Sequence, residues 1–536
     1  MRAGLLCVAA LLLAAAANAA QVRVAGGLIA GKDLPDGSAV YLGVPYAAPP
    51  VGALRWQPPQ PVIPWRGVRH AVTPPTPCAQ LNEGWNAADA AHSAEDCLYL
   101  SIHAPRHRPG ARLPVLVWIH GGSNRSGSGY GVVDSPIYQH GVVVVGVEFR
   151  LGIFGFLSMA ALSAQSPHHS SGNYALLDQI AALRWVQRNI ASVGGDPRRV
   201  TVAGQSSGAV DVGQLLVSPL SRGLFGQAIQ ESGSPSLPRT LVENEAIGEQ
   251  LFALDGLPPG PGGLARLRAL PTRTLLANMT RLRSPDNAFD ALWIAETADG
   301  WVVPSTFAGF YGGGIGRARA RLIIGNNTQE FVIDSPQAAA GLMSAAFGPQ
   351  APHALALYGF QGSRQPQADP VLGTVATQVI TDLAFRCVSN DEAQWTETSG
   401  QKVWRYQFGV PRPGSHEVSH TAELGYVFGA EPAGATFGSW PPVQRYWANF
   451  VRTGDPNGPG LPVWPELGKG RAYMTFTPRG PRPGRELRGP ICRLMTDSRR
   501  KSLRTPAPVQ PLSGPDICEV RTNPMDVLLC ESAIPK

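Results

Sequence analysis

From Leu113 onward, short apolar runs alternate with stretches of helical period. Residues 115–119 and 142–145 are unbroken apolar runs, and 200–203, 322–324 and 403–408 follow them along the chain. Runs that are mostly apolar, without polar alternation, belong to strands covered on both faces, so the pattern predicts a mostly parallel sheet. Leu176, Leu177, Ile180, Leu183 and Ile190 recur at helical spacing and predict a helix lying on that sheet. Gly194-Gly195-Asp196-Pro197 reads as the stop of that helix. Strand–helix–strand order gives an α/β class. The Pro/Gly-rich stretches 258–263 and 505–515 read as surface connections, and no internal repeat is present.

The first residues follow another pattern. Met1-Arg2 is a short positive start, residues 4–17 are an apolar run, and Ala17-Asn18-Ala19 supplies small residues. This predicts an export signal over residues 1–19, cut after Ala19. The run is shorter than the ~20 apolar residues of a spanning helix, so no transmembrane anchor is expected. Composition narrows the rest: 44% hydrophobic residues suit a large core, and 15% charged residues with 61 Gly and 50 Pro suit turn-rich loops. The formal charge of +7 is scattered, with one short basic run at Arg499-Arg500-Lys501. A nucleic-acid partner is therefore not expected, and nothing in the pattern specifies an oligomeric state. Of the 7 cysteines, Cys7 leaves with the signal. The even remainder is what a disulfide framework in an exported protein predicts.

The run at 200–203 leads directly into Gly204-Gln205-Ser206-Ser207-Gly208. A G-x-S-x-G between a strand and a following segment is the setting of a nucleophile elbow, whose glycines allow a turn that leaves the serine hydroxyl exposed. Ser206 is the candidate nucleophile. Acyl transfer also needs donors for the oxyanion. Residues 115–119 end in His120-Gly121-Gly122-Ser123, which offers the amides of Gly122 and Ser123 beside that of Ser207. The order Ser…acid…His then points to Glu330 after the run at 322–324, and to a histidine after the run at 403–408. Both loops lie at C-terminal strand ends, where open α/β sheets keep their sites. The residues alone leave Asp334 beside Glu330 as the acid, and His416 beside His420 as the base.

Several ordered motifs carry a resemblance. They are residues 41–47 with Pro49-Pro50 and Arg55-Trp56, then Glu95-Asp96-Cys97-Leu98-Tyr99-Leu100, then residues 172–179 and 194–197, and Thr453-Gly454-Asp455-Pro456-Asn457. From about Gln21 to Cys492 the chain resembles the type-B carboxylesterase/lipase family, which includes the cholinesterases. The resemblance implies an α/β-hydrolase fold with a central, mostly parallel sheet, flanking helices and long insertions. It implies a catalytic domain over 20–495 and a C-terminal tail over 496–536. It also implies a serine esterase that acts on a small-molecule ester and needs no cofactor or metal. The family's histidine precedes x-x-Glu-Leu and an aromatic-Val-Phe, which selects His420 through Glu423-Leu424 and Tyr426-Val427-Phe428. The family's acid loop aligns with 325–331 and selects Glu330. Ser232 is similar to a serine close behind the family's triad.

The same resemblance implies a Cys78–Cys97 bridge, worth about 3 kcal/mol in the chain-entropy model, then Cys387–Cys492 and, in the tail, Cys518–Cys530. Three positions depart from the family: Gln205 replaces a glutamate, Asn124 an aromatic residue and Phe331 a glycine. Loss of the carboxylate at 205 weakens a cholinesterase reading, although Trp85 stands where cholinesterases carry a cation-binding tryptophan. A packed or pocket-lining role is expected for Trp85. Lipases and specialised natural-product esterases share the fold, as do adhesion proteins that typically lack the serine. With Ser206, Glu330 and His420 all present, the resemblance implies an enzyme.

Overall fold

An eleven-stranded sheet organises the chain. The computed structural model describes residues 21–504, except 236–237, 285–293, 306–318, 334–335, 363 and 365. In chain order the strands are β1 (Lys32–Asp33), β2 (Ala39–Pro45), β3 (Tyr99–Ala104), β4 (Leu113–Ile119), β5 (Val143–Val147), β6 (Gly195–Gln205) and β7 (Gln227–Glu231). They continue as β8 (Arg321–Asn327), β9 (Val403–Phe408), β10 (Ala472–Thr477) and β11 (Gly480–Arg485). Their spatial order is β11-β10-β9-β8-β7-β6-β4-β5-β3-β2-β1. Pairing from β10 through to β5 is parallel, and the outer strands on both sides are antiparallel.

The apolar runs explain this arrangement. In β4, Val115, Val117 and Ile119 enter one apolar cluster, while Leu116 and Trp118 enter another on the opposite face. A strand whose successive side chains are all buried needs cover on both sides. The first face is covered by helices α1 (Tyr174–Asn189) and α2 (Ser207–Val217), which bring Leu176, Ile180, Leu183, Val212 and Leu215. On the second face lie Trp447, Phe450 and Val451 of helix α5 (Val443–Thr453). Between them in sequence, α3 (Val375–Thr381) and α4 (Cys387–Thr398) are joined by a π-helical turn at Asp382–Arg386. The last helix is α6 (Gly489–Arg504).

Two local readings change. Helix α1 is followed by a 3-10 turn, Ile190–Val193, which Gly194 closes at φ 87°. Gly195-Asp196-Pro197 already belong to β6. Its pairing with β4 shifts between Leu113↔Gly195 and Val115↔Val200, and this irregularity accommodates Pro197 inside a strand. Pro261 opens a helix, Pro261–Arg268, so 258–263 is only partly a connection. A proline at the first helical position gives up an N–H that has no partner there anyway. The stretch 505–515 and the signal 1–19 lie outside the described residues.

Chain direction across the sheet reverses at β4: β5 lies on one side of it and β6 on the other. A crevice opens beyond the strand ends at such a switch point. There the chain leaves β4 at Ile119 and β6 at Gln205.

Candidate active site

Ser206 follows β6 and precedes α2, with φ 57° and ψ −129°. A side chain in this region is strained and persists only where its surroundings fix it. Here the Ser206 amide donates to the Glu231 carbonyl (2.8 Å), and its own carbonyl accepts from the amides of Ala209 and Val210. Gly208 is required by contact, because a Cβ there would lie 2.3 Å from the Ile119 carbonyl oxygen. The elbow thus presses directly on the end of β4. Gly121 makes the matching approach: a Cβ on it would lie 3.0 Å from Ser206 Cβ.

This packing places residues 121–124 beside the serine. Ser123 and Asn124 both have φ 55°. Among the described residues, the amides of Gly122, Ser123 and Ser207 donate to no protein acceptor. Asn124 anchors the loop: its amide donates to Ser207 Oγ (3.0 Å), and its carbonyl accepts from the Gly152 amide (2.7 Å). Its Nδ2 donates to Asp211 Oδ1 (3.0 Å) and Glu296 Oε1 (3.2 Å). Gln179 Nε2 donates to the other Asp211 oxygen at 2.5 Å. Burial, then the neighbouring Glu296 charge, pushes the Asp211 carboxyl well above its usual range.

Glu330 lies past β8 and His420 past β9. His420 Nδ1–H donates to Glu330 Oε2 at 2.7 Å, and the His420 amide donates to the Glu330 carbonyl at 2.8 Å. Glu330 is fully buried. Its Oε1 accepts from the Asn327 amide (2.7 Å), and its own amide donates to Thr381 Oγ1 (3.1 Å). Gln205 Nε2 lies 3.2 Å from His420 Nε2. An amide N–H donates, so Nε2 carries the lone pair and Nδ1 the proton, the tautomer a general base at Nε2 requires. Phe331 stacks on the imidazole with centroids 5.1 Å apart, and Phe385 of the π-helical turn tilts over it at 5.3 Å. His416 is exposed, and Asp334 lies outside the described residues.

A family model described as the carboxylesterase family matches residues 18–341 and 357–493. The chain belongs to the carboxylesterase family. It is a carboxylic ester hydrolase with the α/β-hydrolase fold. A pyrethroid hydrolase, Ces2e, of Rattus norvegicus is 31% identical over 508 residues, covering 84% of this chain and 84% of its own. The fumonisin B1 esterase of Sphingopyxis macrogoltabida is 33% identical over 470 residues (81% and 83%). Human cocaine esterase is 32% identical over 497 residues (84% and 86%).

Behind the crevice this carboxylesterase buries more charge than its motifs reveal. Glu423 accepts from Ser232 Oγ (3.3 Å) and Asn327 Nδ2 (2.6 Å); burial and then the Glu330 charge push it up to about 7. Glu231 accepts from Trp447 Nε1 (2.8 Å), and burial followed by the Glu423 charge raises it well above the usual range. Arg386 pairs with Asp382 and donates to the Thr328 carbonyl (2.9 Å), gripping the loop that carries Glu330. Arg405 donates to Asn326 Oδ1 and Asn390 Oδ1, and burial lowers it to about 9. Asp382 and Arg386 stand four residues apart, a spacing that suits an ion pair, but the wider cluster with Thr328, Asn326 and Arg405 arises only from adjacency of β8, β9 and the π-helical turn.

The structure joins Cys78 to Cys97 and Cys387 to Cys492, the second tying α4 to α6. Cys7, Cys518 and Cys530 lie outside the described residues. Trp85 is 66% exposed, so it is not a packed aromatic; its turn before the short helix Ala87–Ala91 gives it no core to enter. Among the described residues, no helix is long and apolar enough to cross a membrane.

Proposed function

We propose that this carboxylesterase is an exported serine esterase working through Ser206, His420 and Glu330. The observation that carries the reading is the 2.7 Å contact between His420 Nδ1 and Glu330, which leaves the Nε2 lone pair towards Gln205, the residue before Ser206. Ser206 Oγ attacks the ester carbonyl while His420 Nε2 takes its proton, and Glu330 stabilises the imidazolium. The carbonyl oxygen becomes an oxyanion facing the amides of Gly122, Ser123 and Ser207. His420 returns the proton to the departing alcohol as the C–O bond breaks, leaving an acyl-serine. Water then attacks the acyl carbon and gives its proton to Nε2, and Ser206 regains a proton as the acid leaves.

The neutral Gln205 fits an ester whose alcohol is uncharged. Diverse relatives, named for pyrethroid, cocaine and fumonisin B1 esters, support ester hydrolysis without one substrate shape. Residues 1–19 serve as the export signal, 20–495 as the catalytic domain and 496–536 as a tail closed by Cys518–Cys530. The two disulfides agree with an oxidising destination. The test is Ser206→Ala with a short neutral ester and a serine-directed phosphonate. Activity should fall by a factor on the order of 10⁴ or more, and labelling should vanish. Retained turnover in the variant overturns the triad.

A further inference from the structure

Two positions that the resemblance marks as unusual, 205 and 331, meet on one side chain. Gln205, 3% exposed, places Nε2 3.2 Å from His420 Nε2. Phe331 lies against a face of the same ring at 5.1 Å, with planes 25° apart. Phe385 adds a second aromatic at 5.3 Å and touches Phe331 at 5.6 Å. The imidazole is therefore held at both nitrogens and lies against two aromatic rings.

These contacts favour different protonation states. The amide N–H of Gln205 donates to a lone pair, which exists only on neutral imidazole. That one lone pair cannot serve Gln205 and Ser206 together, so the amide must turn aside before Nε2 takes the Ser206 proton, and the cation then formed keeps it turned. Aromatic faces carry negative potential and attract a cation. A carboxylate at position 205 would attract the imidazolium by charge; here a neutral amide stands there and an aromatic ring faces the imidazole instead.

We propose that Gln205 and Phe331 are paired positioning residues: Gln205 holds resting His420 neutral with its proton on Nδ1, and Phe331, backed by Phe385, stabilises the imidazolium formed during acyl transfer. The inference rests on reading His420 as the general base. Other charges lie around this ring: Glu330 past β8 pairs with it, Glu423 on the histidine's own loop acts on it, and Glu231 at the end of β7, Arg405 on β9 and Arg386 on the π-helical turn lie behind those carboxylates. All remain in the variants below.

The experiment is a pH profile of kcat and kcat/KM on a neutral short ester for the parent enzyme, Q205E, F331L, F331W and the double variant Q205E/F331L. Q205E should move the acidic limb upward by about one pH unit, because a carboxylate then faces Nε2. F331L should move that limb downward and lower kcat roughly 3- to 10-fold with KM little changed. F331W should restore both, which a loss of packing volume alone does not predict. In the Q205E background F331L should lose less, since the carboxylate already stabilises the cation. The inference is overturned if F331L and F331W share one profile, or if the two substitutions act independently on the acidic limb. A poorly folded F331L leaves Q205E to decide: an acidic limb unchanged from the parent overturns it. Activity surviving Ser206→Ala is a separate result and removes the triad instead.

Discussion

Ser206 stands between two flanks that bury carboxylates in different ways. On the oxyanion flank, Asp211 and Glu296 are held by neutral amides, those of Asn124 and Gln179. On the histidine flank, Asp382 pairs with the guanidinium groups of Arg386 and Arg488. Burial alone would raise both aspartates. Asp211 does end well above its usual range, whereas the two arginines outweigh burial and hold Asp382 below its own. On the oxyanion flank, burial and the Glu296 charge disfavour the charged form of Asp211, and amide donors rather than a counter-charge tie it to the loop at 121–124. Beneath Glu330 the requirement is reversed, because guanidinium groups there complement the charge that steadies an imidazolium.

The sharpest way to break this contrast is to remove one ion from the charged flank. Arg386 is fully buried and also donates to Gln407 Oε1 (3.0 Å) and to the Thr328 carbonyl. Arg386→Met should cost about 3–5 kcal/mol in chemical denaturation, because Asp382 loses its nearest counter-charge. The corresponding change on the other flank, Asp211→Asn, should stay within about 1 kcal/mol, since burial already disfavours the charged carboxyl there and the amide keeps its shape. Equal losses would mean that the two flanks are not electrostatically different.

Asn124 tests what the neutral flank does. Asn124→Ala removes the donor to both carboxylates while keeping the backbone link to Ser207 Oγ. Turnover should fall about 10-fold, less than loss of an oxyanion donor itself, with kcat changing more than KM. A pure KM effect would assign Asn124 to substrate binding instead.

Much of this arrangement was legible in the chain, and the limits have physical reasons. Apolar runs at 115–119 and 200–203 located the two strands that meet at the switch point, because unbroken burial leaves a plain sequence signal. Local motifs carried Ser206 and the loop at 120–123, since an elbow and its facing turn depend on neighbouring residues. The choice of His420 over His416 needed the family pattern, as both follow the same strand and only His420 reaches Glu330. Arg405, Glu231 and Asp211 left no local mark, because their partners lie on strands and helices distant in sequence; Arg386 has Asp382 four residues before it, but its grip on Thr328 and Gln407 is equally long-range. The departures at Gln205, Asn124 and Phe331 were visible early, but only the folded chain shows that two of them converge on His420 and the third on Ser207 and the buried acids.

The smallest effect concerns Glu423, which lies between the two regimes. Asn327 and Ser232 donate to its carboxylate, yet burial and Glu330 prevail and its folded value rises from 4.5 to about 7. Between those values the folded protein holds a proton that the unfolded chain has released. Stability from this group is therefore present at low pH and declines as pH rises through 7. Glu423→Gln removes that slope, with its amide oxygen facing Asn327 Nδ2 and its NH2 facing Ser232 Oγ. Glu148, raised by burial to about 7, adds a slope of the same sign, so the difference between parent and variant carries the test. Melting temperatures from pH 5 to pH 8 should show the variant gaining on the parent as pH rises. A difference that shrinks with pH would mean that Glu423 is stabilised as an anion, and that the histidine flank complements this carboxylate as well as Asp382.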